Sequence, residues 1–204
     1  MPCVAMFGDS LVAAAQLADA PASDAEPMGA EQDRRWMAAL YSAHALSIHR
    51  FLSDLIGDRV LAADATQETF VRAYRLRAKL DDQANGAPWL FGIARNVARE
   101  VRKMRLRTAA RSVSDEHSEP KEACISQTPE GQLLDGEAVT IINAALTEMH
   151  IDRRAALLLR LDHGLSYEQI AATMGWSLAK VKVEIFRARE QLRAVMRDYQ
   201  GGAR

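Results

Sequence analysis

The sequence predicts an all-α fold of two small helical domains joined by a flexible acidic linker. Three observations carry that expectation. Ala, Leu, Arg and Glu recur in long runs while aromatic residues make up 6% of the chain, a balance that favours helices over a β-sandwich. Apolar residues return at three- and four-residue steps in several stretches. Between them, residues 108–130 are polar and acidic and contain Pro120 and Pro129, too long a stretch for a connection inside one compact domain. A chain of 204 residues with 49% apolar and 26% charged side chains is sufficient for one ordinary domain or two small ones.

Residues 1–31 are rich in Ala, Asp and Pro without a sustained period, and are expected to be a disordered, acidic extension. From Gln32 to about Ile56 the pattern is helical, with Trp36, Leu40, Ala43 and Leu46 taken as its apolar stripe, and Gly57-Asp58 as a stop. A second helix is predicted from about Ala62 to Lys79, with Phe70, Val71 and Tyr74 packed and Arg72, Arg75 and Arg77 in solvent. Residues 80–88 read as a loop. Pro88 suits the first turn of a third helix, from Trp89 to about Leu106, where its missing N–H costs nothing. Beyond the linker, Pro129 is expected to open a helix running through Leu133, Leu134, Val139, Ile142 and Leu146. Another is expected from Arg153 to about Asp162, ended by Gly164.

The near-neutral net charge of −1 conceals blocks. Residues 1–33 hold six acids and no base, residues 95–111 seven bases and one acid, residues 112–152 nine acids and one base, and residues 153–204 ten bases and five acids. Two basic modules on an acidic tether suggest polyanion binding. No stretch approaches the length of a membrane span, and the amino terminus lacks the basic start of a secretory signal. The expected setting is therefore a reducing cytoplasm. Cys3 and Cys124 are too few for a disulfide framework or zinc cluster. His44 and His49, five residues apart, are poorly placed as paired ligands on one helical face. No catalytic constellation stands out, so a non-enzymatic protein without cofactors is expected.

Residues 164–193 carry the most specific local signal. Ser166 and Gln169 form an S-x-x-Q capping box, Ile170, Ala171 and Met174 give a short helix an apolar face, and Gly175 allows a tight turn. Ser177 caps a second helix with Val181, Ile185, Ala188 and Leu192 inward and Lys182, Arg187, Arg189 and Arg193 outward. This is a helix-turn-helix whose second helix fits a major groove. In residues 88–107, Ile93, Val97, Val101 and Met104 turn toward a core, while Arg95, Arg99 and Arg102 share another face beside Asn96, Lys103 and Arg107. That face suits a phosphate backbone, and Asn suits base edges. Trp89 and Phe91 fit core packing, with stacking on unpaired bases as the alternative.

DATQETFVRAYRLRAK (64–79), PWLFGIARNVAREVRK (88–103) and LLLRLDHGLSYEQIAATMGWSLAKVKVEIFRAREQLR (157–193) resemble, in this order, segments of bacterial RNA polymerase sigma factors of the extracytoplasmic-function (ECF) group. The resemblance implies a region 2 helical bundle over 32–107 and a region 4 helix-turn-helix domain over 131–200. It implies docking on the polymerase β′ clamp through Asp64, Gln67, Glu68, Phe70, Arg72 and Tyr74. It implies contact with melted minus-10 DNA through Asn85, Trp89, Arg95, Asn96, Arg99, Arg102 and Lys103, with Asn85 in the loop that captures a flipped base. Reading of minus-35 duplex falls to Ser177, Lys180, Lys182, Val183, Glu184, Phe186 and Arg187. Implied partners are core RNA polymerase, including its β flap, promoter DNA and an anti-sigma factor.

Glu184 and Lys180 depart from the residues the family commonly has there; a carboxylate at 184 repels phosphate but can accept from cytosine N4. Competing readings are a sigma-like mimic that sequesters an anti-sigma factor and another helix-turn-helix regulator. The mimic would need no basic DNA faces, and the regulator would carry an α/β receiver or ligand pocket in place of the helical, basic first half.

Overall fold

The computed structural model describes residues 30–80, 86–111 and 136–202, and the expectations for residues 1–29, Asn85 and residues 112–135 lie outside them. Among the described residues the chain is helical, with no strand. Helix α1 spans Ala30–Ile56, α2 Arg59–Leu76 followed by a 3-10 turn at Arg77–Lys79, and α3 Gly86–Arg111. The second half contains α4 Gly136–Glu148, α5 Ile151–Leu161, α6 Tyr167–Met174 and α7 Leu178–Gly202.

Local chemistry sets several boundaries. Gly57 takes φ 71°, a left-handed conformation open to glycine, and ends α1. Asp58 then caps α2, its carboxylate accepting from the backbone N–H groups of Val60 and Leu61, so the helix starts three residues before the expected Ala62. Helix α3 also starts early, at Gly86, with Pro88 inside its first turn. His150 caps α5. The capping box of α6 is complete: Ser166 Oγ accepts from Gln169 N, and the Gln169 side chain accepts from Ser166 N. Gly175, at φ 64°, closes that helix, and Ser177 Oγ accepts from Lys180 N at the start of α7.

Helices α1, α2 and α3 pack against one another pairwise, as do α5, α6 and α7, with α4 laid on α7. The stripe of α1 differs from the expected one. Leu40 is buried and Trp36 packs against the core as expected, but from there the buried face continues through Ile48, Phe51, Leu52 and Leu55, while Ala43 is exposed and Leu46 is 86% exposed. In α2, Ala62, Ala65, Thr66, Thr69, Phe70 and Ala73 face inward; Val71 and Tyr74 are exposed, and Arg72 and Arg77 are half-buried in ion pairs. In α3 the inward stripe holds at Ile93 and Val97, with Val101 partly buried, but Met104 is 66% exposed. Val181, Ile185 and Ala188 of α7 are buried as the period requires.

The two halves are packed on each other. Buried apolar residues form one core from Leu40 to Ala188. Phe51 of α1, Phe91 of α3 and His163 beyond α5 pack mutually, Phe51 edge-to-face with the other two rings, with ring centroids 4.6–5.6 Å apart. Thr173 of α6 donates a hydrogen bond to the Pro88 carbonyl at 3.1 Å. Gly92 permits this approach, since a Cβ there would stand 3.4 Å from the Thr173 carbonyl oxygen.

Candidate nucleic-acid interface

Helix α7 has its apolar stripe in the core and its polar face outward. Phe186 is 62% exposed, and Val183, Lys182 and Arg187 are exposed with it. Together with Tyr167 and Arg193 they line an open groove of about 720 Å³. An outward helix face combining cations with apolar side chains suits a major groove, where phosphates flank base edges and thymine methyls. Lys180 lies over the Trp176 ring at 4.5 Å, within cation–π range. Glu184 does not stand free: its Oε2 accepts from Arg153 Nε at 2.7 Å and its Oε1 from Arg187 Nη1 at 3.1 Å. The hydrogen bond from Arg153 above all holds its carboxyl below the usual carboxylate range.

The cations of α3 divide. Arg99, Lys103, Arg105 and Arg107 are exposed. Arg102 is half-buried, and burial, then repulsion from Arg105, lowers the pKa of its guanidinium; the charge of a bound anion would offset that shift. Asn96 is half-buried. Arg95 is not on the open face. Its side chain is 7% exposed, and its Nε and Nη2 each lie 2.9 Å from Asp152 Oδ1 in the first turn of α5. Arg99 stands 3.9 Å from the same oxygen. Trp89 is buried, with its ring centroid 6.3 Å from that of Trp36. Phe91 is buried too, so both aromatics take the packing role and neither is presented for stacking.

One chain thus carries two basic helix faces, the first on a three-helix unit and the second on a helix-turn-helix. Residues 40–111 match the family described as Sigma-70 region 2, and residues 140–192 match Sigma-70, region 4. The ECF RNA polymerase sigma factor SigM of Bacillus subtilis is 31% identical over 157 residues, covering 76% of this chain and 92% of SigM. This chain belongs to the ECF sigma factors. The RNA polymerase sigma-H factor of Pseudomonas aeruginosa is likewise 31% identical, over 78% of this chain and 86% of its own length.

Among solved structures, the sigma factor RpoE of Bartonella quintana, in complex with the anti-sigma factor NepR, aligns at a TM-score of 0.60. It is 23% identical and covers 82% of this chain and 98% of its own. CnrH, in complex with the cytosolic domain of CnrY, aligns at 0.57 over 93% and 97%. At such identity these two speak for the fold. As a sigma factor the protein acts in transcription initiation, through core RNA polymerase and promoter DNA; the family is non-enzymatic. No described helix is long and apolar enough to cross a membrane, and no metal-binding cluster is found among the described residues.

In this sigma factor Asp64, Gln67, Val71 and Tyr74 are exposed along one line of α2, next to exposed Tyr41 of α1. Phe70 is buried beneath them and packs on Tyr41 with centroids 4.8 Å apart, so it shapes this face from below. Arg72 is bound by Glu68 and, in a two-bond fork, by Glu100 of α3, which raises its pKa and ties α2 to α3.

Sequence reasoning missed Asp152, Arg153 and a buried charged cluster. Asp54 of α1 is 3% exposed, and burial, then Asp162, pushes its pKa up to about 6. Arg154 of α5 is equally buried and is pushed down to about 10, chiefly by burial. Burial likewise lowers the pKa of His163. No periodicity within one helix signals such pairs, because their members come from helices far apart in the chain.

Proposed function

We propose that this ECF sigma factor divides promoter recognition between its two halves, with boundaries at residues 32–107 and 131–200 and a tether over 108–130. The exposed line of Asp64, Gln67 and Tyr74, backed by Phe70, docks on the polymerase β′ clamp. Arg99, Arg102 and Lys103, with Asn96, hold unpaired minus-10 DNA; Asn85 supplies the flipped-base loop. Helix α7 reads minus-35 duplex through Lys182, Val183, Phe186 and Arg187 while its domain rests on the β flap. The observation that supports this most is the pair of cationic helix faces, α3 and α7, on units matching regions 2 and 4 in that order. The protein works in the cytoplasm, needs no cofactor and catalyses no reaction itself. Its partner in regulation is an anti-sigma factor, as for RpoE of Bartonella quintana.

Arg95, held by Asp152, joins the minus-10 surface when α3 separates from α5 and α6. The closed packing is then the resting form, and polymerase binding draws the halves apart, because the two promoter elements lie far from each other on DNA.

Replacing Arg99 and Arg102 together by Ala should reduce promoter opening, read by permanganate reactivity of unpaired thymines, at least about ten-fold, since each cation contributes to phosphate binding. Affinity for core polymerase should stay within about two-fold, because the clamp-docking line is on another helix. Equal loss of opening and of core binding would contradict the assignment of this face to DNA.

A further inference from the structure

Glu184 stands in the middle of the α7 reading face, where a carboxylate has two possible uses. A free one can accept from cytosine N4 in the major groove. A restrained one can hold a neighbouring cation in place. The geometry decides between them. Its side chain is 16% exposed, and each carboxylate oxygen is engaged by a different guanidinium, Arg153 at 2.7 Å and Arg187 at 3.1 Å. Arg153 belongs to α5, the helix beneath, and is itself half-buried. Arg187 is 58% exposed, engaged through one terminal nitrogen with the rest of its fork toward solvent. The chain of contacts therefore runs from a packed helix through Glu184 to an exposed arginine.

Resting on the reading of α7 as the minus-35 helix, we propose that Glu184 is a positioning residue: anchored on α5 by Arg153, it fixes the guanidinium of Arg187, which reads one base pair of the duplex. Arginine discriminates guanine by a planar two-bond fork to O6 and N7, so its value depends on orientation. An arginine on a free stem spreads over many rotamers and binds phosphates as readily as base edges. One held at a single nitrogen presents the remaining donors in a fixed plane. Glu184 thereby converts a general cation into a specific one, and its own charge offsets part of the nonspecific attraction of the face for phosphate.

The test uses holoenzyme assembled from core polymerase and the full chain. The probe is promoter duplex randomised over the minus-35 element with the minus-10 element kept. Arg187→Ala should lose preference at one base position. Glu184→Gln, which keeps the volume and removes the charge, should flatten the same position by about five-fold or more and leave the other positions intact. Arg153→Gln should reproduce that change without altering the reading face itself. The double variant Glu184→Gln/Arg187→Ala should be no flatter than Arg187→Ala, because the two act as one unit.

A Glu184→Gln profile altered at a different position from that of Arg187→Ala would overturn the inference and make Glu184 a base reader. A profile unchanged in Glu184→Gln and Arg153→Gln, with affinity rising uniformly, would reduce the network to a surface ion pair. If Arg187→Ala itself leaves every preference intact, the reading of α7 fails, and this inference with it.

Discussion

Asp54 illustrates how single residues hold this sigma factor together at a cost. Its carboxyl is buried against α5, and one of its oxygens, like the Nε of Arg154, has no hydrogen-bond partner. Burial raises its pKa from 3.8 to about 6, so the folded protein binds this proton more tightly than the unfolded chain. Its contribution is therefore fully present below about pH 4 and is lost as pH rises through about 6. His163 works in the opposite direction: its lowered pKa favours the folded state above its ordinary value and is lost on acidification. Comparing wild type with Asp54→Asn separates the two. The stability difference, wild type minus variant, should fall between pH 4 and pH 6 by up to about 3 kcal/mol. Urea unfolding at four pH values measures it, and a difference independent of pH would contradict the placement of Asp54.

At the scale of elements, helix ends were the most legible feature, because caps are local chemistry. Ser166 with Gln169, Gly175, Ser177 and Gly164 all do in the structure what their residue types suggest. Ser166→Ala should cost about 1 kcal/mol in urea unfolding and leave the spectrum of the other helices unchanged; a loss below a few tenths would mean that water replaces the cap. The inward stripes were legible where a helix is covered on one side, as in α7 and the first half of α3. They were misread where coverage ends or comes from two sides. Leu46 continues a plausible period but faces solvent, since α2 and α3 meet α1 along Ile48, Phe51, Leu52 and Leu55. The early start of α2 is not legible in the pattern because Gly57-Asp58 reads as the end of α1, while the Asp58 carboxylate also caps α2. Lys182→Glu should lower the slope of minus-35 binding against salt by about one unit if it touches a phosphate. An unchanged slope would remove it from the contact surface.

For the whole molecule, the basic blocks and the order of the two halves could be read from the sequence, but their closed packing could not. That packing depends on Asp152 meeting Arg95 and on His163 packing against both Phe51 and Phe91, contacts between residues distant in the chain. Asp152→Asn should loosen it. Hydrogen exchange should quicken in residues 88–98 and 167–174, with α2 unaffected, because removing one charge of a buried pair leaves the other uncompensated. Exchange unchanged at both segments would mean that apolar packing alone keeps the halves closed. A sigma factor directs RNA polymerase to promoters, and run-off transcription from fragmented genomic DNA of the source organism, with purified core polymerase and with or without this chain, measures that. Discrete transcripts that appear only with the protein, and share upstream minus-35 and minus-10 elements, are the expected result; a protein that binds neither core nor promoter and yields no new transcript would contradict it.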